Sequence, residues 1–321
     1  PFSSRRRHTR YADRSRGLGD VYKRQVRGHD LVALDRVLRS ALEEEDTPII
    51  VHVRTRKGYG YRPAESDKIG FHGAALPPMP DQGSARASGN GAASSDGDAA
   101  PTKAERIARK APNYTAVMAQ ELIGIAAEDE RVVAITAGMP TGTGVAAFGE
   151  RFPGRSFDVG ISEQHAMTMA AGMALAGRRP FVALYSTFLQ RAFDQVVHDV
   201  CQNDTPVVIG IDRAGLVGED GTSHQGMFTL TALRQLPNLV LAAPRDEQQL
   251  RRLLRTAFAQ EHPFAIQYPR DPGFDLPAVD PETVEVGRGE VLRDGDDIVV
   301  LGLGPILARG MRVAGDLAAE G

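Results

Sequence analysis

Hydrophobic positions change their period several times along the chain, and each change predicts an element. Leu31, Leu34, Leu38 and Leu42 recur at helical spacing up to Asp46, and the following run PIIVHVR has the length and β-branching of a buried strand. This predicts an αβ piece from the end of a larger domain, spanning residues 26–78. The loop KGYGYRPAESDKIGFHG follows, and from about Ala74 the composition collapses into Pro, Gly, Ser, Ala and Asp. Residues 79–112 therefore read as a disordered linker whose side chains are too small and polar to bury a core.

After Asn113 the pattern becomes regular. It predicts a helix over Tyr114 to Ala127, a strand over Val132 to Thr136, and the short strand SFDVGI leading into a small-residue helix. The runs PFVALYS, PVVIGID, NLVLAAP and FAIQYPR then read as strands, most of them separated by helical stretches. Continuous apolar strands alternating with helices predict an α/β fold, a doubly wound, mainly parallel sheet over residues 113–283. Ligands are expected at the carboxyl ends of such strands. From about Val284 a further unit is expected, with strands VEVGRGEVL and DIVVLGLG and a helix from Pro305. Residues 284–321 are too few to complete a domain of this type.

Charge and composition refine this picture. Residues 1–25 hold eight Lys/Arg against two Asp, so an arm of net +6 precedes a body of −9 in a chain of overall charge −3. The arm has no hydrophobic periodicity and resembles translated adapter sequence, so the coherent protein is expected to begin near Val26, with no role in nucleic-acid binding. No uninterrupted apolar run approaches the ~18 residues of a membrane span, and no charged segment leads into an apolar signal region, which makes cytoplasm the default expectation. The single Cys201 reads as a small buried hydrophobe.

Four polar clusters fall where strands of the central domain end. They are Glu163-Gln164-His165, Tyr185-Ser186-Thr187-Phe188 with Arg191, Asp212-Arg213 with Asp220 and His224 in the loop AGLVGEDGTSHQG, and Tyr268-Pro269-Arg270. Glu163, at the mouth of an almost wholly apolar helix, is either a first-turn acid favoured by the helix dipole or a carboxylate able to share a proton with a bound ring nitrogen. His165 shares a face with Met169 and reads as a core histidine. Phe188 is either core or a ring-stacking platform, and Arg191, Arg213 and Arg270 are either ion-pair partners or anion ligands. Their convergence at one sheet edge favours the functional readings.

The strings DVGISEQHAMTMAAGMALAG, YSTFLQRAFDQVVHDV, DRAGLVGEDGTSHQG and YPR, in this order, closely resemble the 1-deoxy-D-xylulose-5-phosphate synthase family of the thiamine-diphosphate transketolase superfamily. The resemblance runs from about Gly28 to Gly321 and includes GHD, TRKGYGYRPAE and FHG. It implies a transferase that condenses pyruvate with D-glyceraldehyde 3-phosphate, using thiamine diphosphate and Mg2+, for isoprenoid, thiamine and pyridoxal precursor supply. It implies that Glu163 bonds the aminopyrimidine ring, that Phe188 stacks on it, and that Tyr185, Arg191 and Met139 wall the pocket. Arg213 and Arg270 are implied as phosphate ligands, Asp220 and His224 as neighbours of the acceptor and the reacting carbon, and His72 as a histidine on the thiazolium side. Proton transfer is implied for His72 or His224. A homodimer is implied as well.

The superfamily holds the diphosphate through a Gly-Asp-Gly metal motif, and this chain has none. Asp96-Gly97-Asp98 inverts the order, and Gly302-Leu303-Gly304 reads as a strand-to-helix turn. The expectation is a fragment that is inactive alone, since charge-assisted phosphate and metal contacts are lost together. Two alternatives stand beside this reading. One is another superfamily enzyme, a transketolase or a 2-oxo-acid dehydrogenase beta subunit. The other is a non-catalytic pyrimidine-domain remnant.

Overall fold

The computed structural model describes residues 22–43, 49–66, 112–274, 276 and 281–320. Two compact units divide at Ser94 and Ser95. The linker expected over 79–112 lies outside the described residues except for Pro112, and so does His72.

In the first unit β1 (Tyr22–Arg27), α1 (Leu31–Leu42), β2 (Ile49–Arg54) and α2 (Arg62–Ser66) follow one another. β1 and β2 pair in parallel from Tyr22↔Ile49 to Arg27↔Arg54, so strand structure starts inside the stretch expected to precede the coherent protein. Asp30 caps α1 by accepting from the Ala33 amide at 3.0 Å. β2 forms where expected but is not buried, with Ile50 39% and Val53 37% exposed. Among the described residues, two strands and one long helix supply no second layer to cover the other face of the sheet.

The second unit is built on six parallel strands: β3 (Val132–Thr136), β4 (Ser156–Asp158), β5 (Arg179–Tyr185), β6 (Val208–Asp212), β7 (Val240–Ala242) and β8 (Phe264–Gln267). Their order is β4-β3-β5-β6-β8-β7. Alternate residues of one strand feed opposite cores, which is why the strands read as continuous apolar runs. Phe181 and Ala183 of β5 join one core, together with α3 (Tyr114–Glu128), α4 (Val145–Arg151) and α9 (Glu247–Ala259), numbered in chain order. Val182 and Leu184 join the other, with α5 (Glu163–Leu175) and the helical stretch from α6 (Ser186–Leu189) through a 3-10 turn and α7 (Phe193–Gln195) into a π-helix, Val196–Cys201. α8 (Thr229–Leu233) adds Leu233 to that core. The Phe181 ring of β5 occupies the space that a side chain at Gly210 of β6 would need.

Three expectations need correction. The runs VEVGRGEVL and DIVVLGLG are not strands, and Ile298, Val299, Val300 and Leu301 are 70% to 93% exposed. A strand requires a ladder partner, and neither run finds one among the described residues. Contacts tie this stretch to the second unit: the Val284 amide donates to Thr256 at 2.9 Å, Arg245 pairs with Glu290 at 2.6 Å, and α10 (Leu307–Glu320) follows. His165 is exposed, not core. The buried stripe of α5 runs through Glu163, Ala166, Met167, Ala170, Ala171 and Ala174, and His165 lies off that face.

Cys201 is 1% exposed, and burial pushes its thiol up to about 11. At pH 8 the folded protein therefore carries a thiolate fraction of only about 10⁻³. Labelling by a thiol-specific disulfide reagent is expected to be at least ~100-fold slower in the native protein than in denaturant, accelerating about tenfold per pH step towards 11. Rapid stoichiometric labelling of the native protein at pH 8 contradicts this burial.

Candidate active site

The carboxyl ends of the parallel strands lie along one edge, since Thr136 pairs with Asp158 and with Ala183, Tyr185 with Asp212, and Ile211 with Gln267. The chain leaves β3 first for β4 on one side and then for β5 on the other, so the strand order reverses at β3. That reversal opens a crevice where ligands bind in sheets of this kind. All four polar clusters predicted from sequence sit along this edge.

Glu163 opens α5 and is 2% exposed. Its Oε2 lies 3.3 Å from Arg191 Nη1, within ion-pair range, yet this buried oxygen accepts no well-formed hydrogen bond. Such an atom is costly to leave unsatisfied and is suited to a ligand N–H. Arg191 is half-exposed and sits one turn after Phe188, so the helical stretch following β5 supplies both the ion-pair partner and the aromatic.

Tyr185 ends β5, and its ring stacks on Phe188 with centroids 5.7 Å apart and planes 15° apart. The His224 ring meets Phe188 edge-on at 5.2 Å. Phe188 is thus half-buried in an aromatic cluster at the sheet edge, not a core residue. Burial is the main cause raising the Tyr185 hydroxyl pKa; Asp212 and Asp220 add to it, while Arg213 and Arg270 oppose it. Gly142, in the loop after β3, leaves room for the Tyr185 hydroxyl where any side chain would collide. Met139 belongs to the same loop and is partly buried, with its carbonyl accepting from the Thr143 hydroxyl at 2.7 Å.

Arg213 follows β6 in the left-handed region, φ 60°, where a residue with a side chain is rarely found. Its amide donates to Asp212 Oδ1 at 2.7 Å, its Nη1 donates to the Gly142 carbonyl at 2.6 Å, and its guanidinium lies 4.0 Å over the Tyr185 ring. Asp212 is fully buried and also accepts from Thr115 at 2.7 Å. Burial drives its carboxyl pKa up, against the opposing pull of Arg213 and the Thr115 hydroxyl. Asp220 then joins two strand ends: it lies 2.9 Å from Arg270 and 3.5 Å from Arg213. Arg213 is the more enclosed of the two cations, its side chain 12% exposed against 38% for Arg270.

Thr115 and Gly142 are the supports of Arg213 that sequence reasoning missed. Asp212 was already named beside Arg213 in its cluster. Thr115 and Gly142 carried no signal, because they arrive from the start of α3 and the loop after β3. Among the described residues no group of three His, Cys, Asp or Glu side chains could hold a metal ion, and no helix is long and apolar enough to cross a membrane.

The family model for the transketolase pyrimidine-binding domain matches residues 110–273. Proteins named 1-deoxy-D-xylulose-5-phosphate synthase from Desulforudis audaxviator and Aquifex aeolicus are 46% and 42% identical, each over 95% of this chain, and one from Nitratidesulfovibrio vulgaris is 47% identical over 92%. The chain spans only 43% to 45% of the length of these relatives. A solved structure described as a split gene transketolase, inactive beta4 tetramer, is 30% identical with a TM-score of 0.58, over 65% of this chain and 68% of that one. With the matched segment taking in every strand of the parallel sheet and the side chains gathered at its edge, the chain belongs to the transketolase pyrimidine-binding domain family.

Proposed function

We propose that this chain supplies the pyrimidine-binding half of a 1-deoxy-D-xylulose-5-phosphate synthase, which joins pyruvate to D-glyceraldehyde 3-phosphate with release of carbon dioxide. Thiamine diphosphate, when bound, supplies the electron sink for decarboxylating pyruvate. The buried Oε2 of Glu163, which lacks a hydrogen bond, fits a protonated ring nitrogen of that cofactor, and Arg191 holds the carboxylate in place. Phe188 offers the ring for stacking, with Tyr185, Arg191 and Met139 around it. His224, edge-on to Phe188, is the described histidine positioned for proton transfer. His72 and the ligands for Mg2+ belong to the reading but not to the described residues.

The observation that carries the choice of acceptor is the convergence of Arg213 and Arg270 on Asp220. Guanidinium groups match phosphate oxygens in geometry as well as charge, and Asp220 holds the pair at a common point. A dehydrogenase component handing its product to lipoamide has no phosphate for two arginines to read. The reading extends to a homodimer in the cytoplasm.

The test is direct: the full-length protein carrying this segment, with thiamine diphosphate and magnesium, should form 1-deoxy-D-xylulose 5-phosphate from the two substrates. Ketol transfer between sugar phosphates without pyruvate turnover would instead support a transketolase.

A further inference from the structure

Glu247 is a buried carboxylate to which the proposed chemistry gives no role. It lies in the first turn of α9 and is 2% exposed. The helix start does not need it for capping, because the Asp246 side chain already accepts from the Gln249 amide at 2.7 Å. Both Glu247 oxygens turn instead to a distant segment. Oε1 accepts from the Phe274 and Leu276 amides at 3.0 and 2.8 Å, and Oε2 accepts from Phe274 at 2.9 Å. Gly273 allows the approach, since a Cβ there would meet the carboxylate at 2.7 Å.

The strapped segment begins where Arg270 ends. Its other side is stitched to the start of α3: the Gly273 amide donates to the Pro112 carbonyl at 3.0 Å, the Tyr114 amide donates to the Asp271 carbonyl at 3.3 Å, and Asn113 bridges Pro272. Arg270 itself lies beyond the last residue of β8, where ladder bonds no longer hold the backbone. A guanidinium that must meet Asp220 at 2.9 Å from such a position needs its backbone fixed by something else.

We propose that Glu247 is a positioning residue, which fixes Arg270 for the acceptor's phosphate group by clamping the main chain that follows it. The proposal rests on Arg270 as a phosphate ligand. The helix dipole favours a carboxylate in this turn, and charged acceptors make the stronger bonds to main-chain amides, so an amide in place of the acid loosens the strap.

Steady-state kinetics of the full-length protein carrying this segment, with thiamine diphosphate, magnesium, pyruvate and glyceraldehyde 3-phosphate, test the clamp in a double-mutant cycle. Glu247→Gln is expected to raise the acceptor KM about tenfold, with the pyruvate KM and cofactor affinity held within about twofold. In an Arg270→Ala background it should add no further rise, because the two residues act as one unit. Additive effects, or an unchanged acceptor KM in Glu247→Gln while Arg270→Ala raises it, overturn the clamp alone. An acceptor KM unchanged by Arg270→Ala overturns the phosphate reading and the clamp with it. Should Glu247→Gln fail to fold, Glu247→Asp, which keeps the charge but retracts it, is expected to give a smaller rise in the same direction. Failure of both variants to fold makes Glu247 a stability residue and overturns the proposal.

Discussion

In the full-length protein carrying this segment, replacing Glu163 by glutamine is expected to lower turnover of the proposed condensation by about a hundredfold or more, with the domain still folded. Glutamine preserves the shape of a side chain that is 2% exposed in a stripe of alanine and methionine, so packing changes little. An amide cannot carry the acidic proton that a carboxylate shares with a ring nitrogen, nor can it form the ion pair with Arg191 at 3.3 Å. The Arg191 left behind is half-exposed and can be solvated, so losing the pair should cost no more than the ~1 kcal/mol of a solvent-exposed ion pair. The measurement is kcat beside a thermal melt. A variant retaining more than half of the original turnover would remove Glu163 from the chemistry.

Loss of Arg270 should act on the acceptor alone. Charge-assisted hydrogen bonds contribute about 1.5–3 kcal/mol each, so in the full-length protein carrying this segment Arg270→Ala is expected to raise the KM for the proposed acceptor, glyceraldehyde 3-phosphate, by roughly 10- to 150-fold and leave the pyruvate KM in place. Asp220 then loses its 2.9 Å partner and keeps Arg213, at 3.5 Å. Arg270→Lys should recover part of the loss, since a lysine supplies charge without the planar fork. An acceptor KM that does not move in Arg270→Ala would falsify the phosphate assignment and return the loop around Asp220 to a purely structural role.

The elements were most legible where both faces of the sheet are covered. The run Val132 to Thr136 matches β3 residue for residue, because every position of this interior parallel strand is buried. The apolar runs VEVGRGEVL and DIVVLGLG look the same as sequence, yet neither becomes a strand. His165 was misread for a related reason: its neighbour Met169 suggested a shared buried face, while packing turned the stripe through Ala166 and Ala170 inward.

Residue types and their order by themselves determined the alternation of strands and helices, the parallel sheet, and the four polar clusters at its edge, because burial and ladder pairing impose periods that a single chain displays. Which atoms meet was decided only by tertiary structure. Thr115 reaches Asp212 across 97 residues and Arg213 reaches the Gly142 carbonyl across 71. The two oxygens of Glu247 find amides 27 and 29 residues on. Contacts at such separations follow from strand order and loop course, and no local period records them.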